Sequence, residues 1–173
     1  MLPTLLEIEH AARIVYRSMP PTPQYFWRPL AERLGVDLWI KHENHTPLGA
    51  FKVRGGLVYF EATASQLSEK NGVICATRGN HGQSVAYVAA QRNISASIVV
   101  PHGNSREKNA AMVSLGAQLI EYGADFQEAL EHATALARQA NLQMVPSFHA
   151  LLVAGVATYS LELFRAVVDL DVL

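Results

Sequence analysis

The sequence is short of cysteine, of excess charge and of long apolar runs. A single cysteine, Cys75, excludes an internal disulfide framework. Lysine and arginine together number 14 against 15 acidic residues, so the formal charge of -1 provides no basic surface for nucleic acid. The sequence contains no apolar stretch of about 18 residues, the length that indicates a membrane-spanning helix. These absences favour small molecules as partners and argue against nucleic acid and membranes.

The N-terminal stretch lacks the pattern of a secretion signal. Its first 19 residues put acidic residues before basic ones and contain no uninterrupted apolar core. Together with the lone cysteine, this pattern leads us to expect a cytoplasmic protein.

The chain does contain enough apolar material for one core. With 173 residues, 50% of them hydrophobic, it falls in the size range of a single domain or part of a larger one. Thr4 precedes apolar residues at helical spacing, which predicts a helix that ends near Ser18. The prolines of 20–23 then force an extended turn, and a short helix over 28–34 is expected to stop at Gly35.

From Val36 onward, strand patterns alternate with helix patterns. Strands are predicted at 36–44, 73–77, 94–101, 117–123 and 142–148, and helices at 83–93, 105–116, 125–140 and 155–168. This alternation predicts right-handed βαβ units and an α/β, doubly wound, mostly parallel sheet. The last residues run from a helix into the start of another apolar strand, so we expect the fold to be incomplete.

A glycine-rich turn, ATRGNHGQS, lies between the predicted strand at 73–77 and the following helix. In a parallel sheet, ligands bind at the carboxyl ends of strands, where helix N-termini present free N–H groups to anions. Gly79 and Gly82 permit close backbone approach, and Asn80 and His81 can add hydrogen bonds. The spacing matches neither a Rossmann fingerprint nor a Walker A loop. An anion site and an ordinary structural turn both stay open.

Few other residues offer chemistry. His42 and His45 are three apart in a strand that turns into a loop, which is not the spacing of a zinc helix, and we expect no metal site. Cys75 lies in an apolar strand, where a thiol is usually inert. Lys52 is therefore the best candidate for covalent chemistry, at what looks like the start of a helix. Partial burial beside Phe51 and a nearby Arg54 would favour a nucleophilic amine, although a solvated lysine is the ordinary interpretation.

Two motifs taken together favour a chemical role for Lys52 over that of an ordinary solvated lysine. AFKVRGG, followed by TRGNHGQS, resembles the fold-type II pyridoxal phosphate enzymes, in particular the serine/threonine dehydratases (threonine ammonia-lyases) and related serine racemases. The resemblance extends through KHENHTPLGAFKVRGG, SREKNAAMVSLGAQLIEYG and VPSFHALLVAGVATYSLELF, and so covers nearly the whole chain. It looks closest to a dehydratase branch linked to hydroxyectoine breakdown.

The resemblance implies a tryptophan synthase β-like fold, pyridoxal 5′-phosphate as cofactor, a small amino acid as substrate, and a homodimer. It also implies a division of the chain into an N-terminal segment of the large domain at 1–50, a small domain at 51–150, and the start of the large domain at 151–173. Members of the family are longer, and the missing half would supply the glycine-rich loop for the cofactor phosphate. A truncated chain is therefore expected.

The resemblance also assigns site residues. Lys52 would form the Schiff base with the cofactor and later take the Cα proton of the substrate. Phe51 would pack against the pyridine ring, and Asn80 would hydrogen-bond the 3-hydroxyl of the cofactor. The substrate carboxylate would lie in a loop made of Thr77, Arg78, Gly79, Asn80 and His81.

One departure bears on the reaction. Racemases of the family carry a serine that acts as a second base where this chain has Arg78, and a guanidinium is a poor base near neutral pH. This favours elimination over a serine racemase-like activity. Arg78 could instead bind a substrate carboxylate or face solvent. A non-catalytic α/β module that only binds anions or cofactor, and a nucleotide-binding domain, are the alternatives from other classes.

Overall fold

Helices and short strands alternate along most of the chain. The computed structural model describes residues 2–172. The helices of this part are α1 Leu5–Val15, α2 Arg28–Leu34, α3 Lys52–Ala62, α4 Ala64–Leu67, α5 Asn80–Gln91, α6 Arg106–Ser114, α7 Phe126–Gln139, α8 Ala150–Val156 and α9 Thr158–Ala166. The strands are β1 Gln24–Phe26, β2 Trp39–Lys41, β3 Val73–Ala76, β4 Ala96–Val100, β5 Gln118–Glu121 and β6 Gln143–Met144.

Four of the strands form one parallel sheet in the order β5-β4-β3-β6. The chain runs outward from β3 through β4 to β5, then returns through α7 to place β6 on the other side of β3. The strand order therefore reverses between β3 and β6. In open α/β sheets, the crevice at such a reversal is where ligands bind, beyond the carboxyl ends of the strands.

Helices cover both faces of this sheet. Val73 and Cys75 of β3 pack into a cluster that includes residues of α3 and α5. Ile74 and Ala76 point to the opposite face and pack against α7. All four residues are buried, as expected for a strand covered on both sides. The predicted doubly wound parallel fold is confirmed.

The N-terminal part differs from the prediction. β2 is only three residues long and pairs antiparallel with β1, which the sequence did not predict, rather than joining the main sheet. The predicted strands at 94–101 and 142–148 shorten to β4 and to the two residues of β6. Strand length depends on which neighbours the backbone can pair with, and local hydrophobicity does not contain that information.

The helices differ mainly at their ends. α5 begins at Asn80, three residues earlier than predicted, so part of the glycine-rich turn is the first turn of the helix. The single helix predicted over 155–168 is two helices, α8 and α9, which meet at Ala157. The start of α3 at Lys52 confirms that this lysine lies at the mouth of a helix. No helix within residues 2–172 has the length and apolar character needed to cross a membrane.

Two glycines allow α3 and α8 to lie in direct backbone contact. A Cβ atom added to Gly155 would lie 2.5 Å from the carbonyl oxygen of Arg54, and one added to Gly55 would lie 2.8 Å from that of Leu152. Side chains are absent at both positions because there is no room for them. The contact fixes the helix that begins with Lys52 against the helix that follows β6.

We predict that Gly155→Ala destabilises the protein by about 1–3 kcal/mol, the usual cost of overpacking. Helix propensity alone would give the opposite sign, because alanine favours a helix over glycine by up to about 1 kcal/mol. Denaturant unfolding measures the difference. Ala135→Gly, at an exposed position of α7, calibrates the propensity effect, and a more stable Gly155→Ala protein would show that the close contact does not exist.

Candidate active site

A small cavity lies where the strand order of the sheet reverses. Its volume is about 160 Å³, and its lining includes Phe51, Lys52, His81, Ser147 and Phe148. His81 comes from the turn after β3, and Ser147 and Phe148 follow β6. Two stretches that follow strands therefore meet the first turn of α3 at the carboxyl edge of the sheet.

A hydrogen bond to its backbone carbonyl helps to hold Lys52 in place at the start of α3. The hydroxyl of Ser84 in α5 donates a hydrogen bond of 2.8 Å to the carbonyl oxygen of Lys52. The Nζ atom of Lys52 lies 5.7 Å from the centre of the Phe51 ring. That ring is 38% exposed and lies 6.0 Å from the ring of Tyr159. The half-buried amine of Lys52 and an open face of Phe51 thus lie side by side at the cavity.

Thr77 shapes the turn between β3 and α5. Its buried hydroxyl accepts hydrogen bonds from the N–H of Gly79 at 3.0 Å and of Gly82 at 3.3 Å. The N–H groups of Asn80 and His81 belong to the first helical turn, where no preceding helical carbonyl can pair with them. The positive end of the helix dipole adds to their attraction for an anion. The turn therefore presents N–H groups at the positive end of a helix, an arrangement that can bind an anion.

The two glycines of this turn also have packing roles. A Cβ atom at Gly79 would lie 2.6 Å from Cδ and 3.0 Å from Nζ of Lys108, a residue of α6. At Gly82 it would lie 2.5 Å from the sulfur of Met112. Lys108 was not among the predicted site residues, because nothing in its own stretch of sequence shows that α6 packs beneath the loop. The close packing against buried Met112 and Thr77 explains Gly82, whether or not an anion binds, whereas the exposed Lys108 side chain could move away from a Cβ at Gly79.

His81 points into the protein rather than into solvent. Its Nε2 lies 3.4 Å from the carbonyl oxygen of Val145, so the ring N–H can donate a hydrogen bond to it. Burial, aided by the charge of Lys52, lowers the pKa of His81 to about 4. At neutral pH the cavity therefore contains a neutral imidazole close to the amine of Lys52. Arg78 and Asn80, on the same turn, are exposed.

The expectation that Arg54 would act beside the amine of Lys52 is wrong. Arg54 is completely buried, and its guanidinium forms ion pairs with Glu43 and Glu162. Residues two apart on a helix do not face each other, so Lys52 and Arg54 point in different directions. Arg54 therefore forms ion pairs with two carboxylates, although its place in the motif suggested an effect on the amine of Lys52.

The ion pairs of Arg54 belong to a larger buried cluster. The ammonium of Lys41 donates to Glu162 at 2.7 Å and to the backbone oxygen of Thr22 at 2.5 Å. Burial opposes ionisation of Glu162, but hydrogen bonds from Arg54 and Lys41 outweigh it and hold the pKa of the Glu162 carboxyl below its ordinary value. Burial and the same carboxylate raise the pKa of Tyr16 to about 12. Two cations and two anions thus neutralise each other where little water reaches them: the side chain of Glu43 is 14% exposed, and those of the other three are 6% exposed or less.

His42 and His45 pack with aromatic rings. The ring of His42 lies 5.4 Å from that of His45, 5.3 Å from that of Tyr25 and 6.0 Å from that of Trp27. Among residues 2–172, no three metal-ligating side chains lie close enough together to hold an ion.

Known proteins are similar to this chain along most of its length. A family model described as "Pyridoxal-phosphate dependent enzyme" matches residues 15–173. L-threonine dehydratase biosynthetic IlvA of Haemophilus influenzae is 35% identical over 158 residues, which make up 91% of this chain and 31% of that protein. L-threo-3-hydroxyaspartate ammonia-lyase of Saccharomyces cerevisiae is 31% identical over 174 residues, which cover 100% of this chain and 53% of that protein.

The fold has close counterparts among solved structures. The processed form of threonine deaminase isoform 2 from Solanum lycopersicum is 29% identical, with a TM-score of 0.83, over 98% of this chain and 51% of that one. The chain therefore spans about a third to about half the length of these relatives. The family match includes Lys52 and the whole turn from Thr77 to His81.

We predict that His81 makes the protein less stable as the pH falls from about 6.5 to about 4. Over this range the unfolded chain binds a proton at His81 and the folded one does not, because burial holds the pKa at about 4. The loss is about 3 kcal/mol at most, from the size of the shift. Denaturant unfolding at a series of pH values should show a shallower decline in His81→Gln, which can keep the hydrogen bond to Val145.

His10→Gln changes an exposed histidine and serves as the control. If His81→Gln and the control decline as steeply as the unaltered protein, His81 is not buried in its neutral form.

Proposed function

This chain belongs to the pyridoxal-phosphate-dependent enzyme family, and from that membership we propose that it carries the lysine and the substrate loop of a dehydratase. The dehydratase would convert a small hydroxyamino acid, such as threonine or serine, into a 2-oxo acid and ammonia. The observation that carries the proposal is that Lys52, Phe51 and His81, the last residue of the turn that begins at Thr77, line one cavity at the edge of the sheet. The similarity to a threonine dehydratase along 91% of the chain supports it.

The residues present fit the reactive end of pyridoxal phosphate. Lys52 offers a half-buried primary amine at the cavity, which can bond covalently to an aldehyde carbon. Phe51 offers an exposed ring face next to it, and Asn80 offers an exposed amide at the start of α5. Lys52 would therefore hold the cofactor, Phe51 would pack on its ring and Asn80 would hydrogen-bond its 3-hydroxyl. When bound, the cofactor withdraws electrons from the Cα of the amino acid.

The chain's own residues would then bind, orient and deprotonate the substrate. The N–H groups of Asn80 and His81 would donate to the substrate carboxylate, in a turn whose shape Thr77 fixes. Holding the carboxylate sets the direction of the Cα–H bond, and orientation of this kind contributes much of an enzyme's rate. The amine of Lys52 would take the Cα proton. Departure of the β-hydroxyl as water, then hydrolysis, gives the 2-oxo acid and ammonia.

Arg78 bears on both the reaction and the substrate. Its guanidinium cannot readily act as a base near neutral pH, which supports elimination over racemisation. Arg78 is exposed, and within residues 2–172 it takes part in none of the ion pairs that the structure shows. A relative 31% identical is named for 3-hydroxyaspartate. A hydroxyamino acid with a second carboxylate is therefore a further candidate substrate.

The length of the chain favours one alternative. Because it spans only part of its relatives, it can be a cofactor-binding module without turnover of its own. Homodimeric assembly and a cytoplasmic location stay predictions.

The test uses the purified 173-residue chain with added pyridoxal phosphate. We expect a visible absorbance band that is absent from Lys52→Ala, because within residues 2–172 Lys52 is the one lysine that lines the cavity. Threonine, serine and 3-hydroxyaspartate should then each be assayed for 2-oxo acid and ammonia. Lys70→Ala, which removes a lysine remote from the cavity, is the matched control and should leave the band unchanged.

The outcomes separate the alternatives. A Lys52-dependent band with 2-oxo acid formation supports the dehydratase. A band without product supports the cofactor-binding module instead. The same band in the unaltered protein and in Lys52→Ala contradicts both.

A further inference from the structure

We propose that Arg54 is a positioning residue for Lys52. Its guanidinium forms ion pairs with Glu43 and Glu162, and these pairs fix the first turn of α3 so that the lysine amine meets the cofactor in one orientation. The proposal rests on the proposed function, because it takes Lys52 as the cofactor lysine. It assigns to Arg54 and its two carboxylates a role toward the site, although none of the three lines the cavity.

The first turn of α3 lacks the usual means of holding a helix end. Phe51 precedes the helix and makes no side-chain capping hydrogen bond. The first N–H groups of a helix have no helical partner, so an uncapped first turn tends to fray. Lys52 is the first residue of this turn, and fraying would move its amine. Besides the hydrogen bond from Ser84 and the contact with α8, the ion pairs of Arg54 are the contacts that can keep this turn in place.

The ion pair between Arg54 and Glu43 closes a loop of chain that contains Lys52. Nε and Nη2 of Arg54 donate to the two oxygens of Glu43, at 2.7 Å and 2.9 Å. Glu43 lies 11 residues before Arg54, and Lys52 lies between them. Within this closed loop, the hydroxyl of Thr46 also exchanges hydrogen bonds with the backbone of Ala50, both 2.9 Å long. The loop is therefore fixed at its ends and again just before Phe51.

The second carboxylate ties the loop to the C-terminal part of the chain. Nη1 and Nη2 of Arg54 donate to the two oxygens of Glu162 in α9, at 2.6 Å and 2.9 Å. Nη1 also donates to the hydroxyl of Thr158 at 2.9 Å, and Nη2 donates to that of Thr22 at 3.2 Å. The guanidinium thus has a carboxylate along two of its edges, and α3 cannot turn without breaking both pairs.

The chemistry requires arginine at this position. The planar guanidinium presents its donors in a fixed fork that matches a carboxylate on each side. A lysine keeps the charge but offers a single ammonium, which cannot meet four carboxylate oxygens in one plane. Arg54→Lys therefore removes the geometry while preserving the charge, and Glu162→Gln removes one charge while keeping the side-chain shape.

The experiment measures pyridoxal phosphate binding in folded protein. The unaltered chain, Arg54→Lys and Glu162→Gln are titrated at a temperature at which thermal unfolding shows each to be folded, and the readouts are the Lys52-dependent absorbance band and its induced circular dichroism. We expect binding weakened by roughly tenfold or more, because small displacements of a reacting group carry large penalties. The induced circular dichroism should fall as the cofactor loses its single orientation.

Arg92→Lys is the matched control. Arg92 donates to Glu61 at 2.6 Å and to the carbonyl oxygen of Phe60 at 3.2 Å, so it binds the far end of the same helix. Its replacement perturbs α3 without touching the turn that holds Lys52. If folded Arg54→Lys and Glu162→Gln bind the cofactor like Arg92→Lys, with the same dichroism, the cluster only stabilises the fold and the proposal is overturned.

Amide hydrogen exchange without cofactor separates this proposal from the proposed function. Exchange at residues 56–58, whose N–H groups pair with the carbonyl oxygens of residues 52–54 in an α-helix, should be faster in Arg54→Lys than in the unaltered chain, with α7 as the internal reference. If the unaltered chain shows no Lys52-dependent band but this local difference is present, the dehydratase proposal fails while the fixing of the first turn by Arg54 is supported. Unchanged exchange at 56–58 contradicts this role of Arg54 whatever the spectrum shows.

Discussion

Arg54 carries a charge that solvent does not reach, and the chain has to supply its counter-charges from distant segments. Glu43 comes before the main sheet, and Glu162 comes after it. Removing one partner of such a buried pair typically costs about 3–5 kcal/mol, because the other charge is left unpaired in a dry environment. The N-terminal segment, α3 and α9 are therefore bound together by electrostatics as well as by apolar packing. The lysine of the candidate site lies two residues from the centre of this arrangement.

The parallel sheet provides the second half of the site. Because the strand order reverses between β3 and β6, the turns after these strands diverge and leave a crevice. The turn after β3 contributes His81 to the cavity, and the segment after β6 leads into α8, whose Gly155 contacts α3 directly. Rigid elements thus approach the cavity from three directions. Geometry of this kind suits a reaction in which one amine must meet one carbon.

Periodicity and short motifs predicted much of this molecule. The alternation of apolar strands and helices predicted the doubly wound parallel sheet, because strands buried on both faces read as continuous apolar runs. The resemblance located Lys52 at a helix start and the loop from Thr77 to His81 near it. The sequence did not predict where the guanidinium of Arg54 points, because carboxylates 11 and 108 residues away determine its position. The pairing of β1 with β2 likewise arises from long-range contacts, as does the packing of Lys108 under Gly79.

The central claim is that Lys52, among the four lysines of the chain, is the one that bonds to the cofactor. The most direct measurement is reduction of the pyridoxal phosphate complex with borohydride, followed by peptide mass mapping of the pyridoxyl group. The account predicts a label on Lys52 at one group per chain, and none on buried Lys41. A label distributed over Lys70 and the exposed Lys108, with Lys52 unmodified, would contradict it.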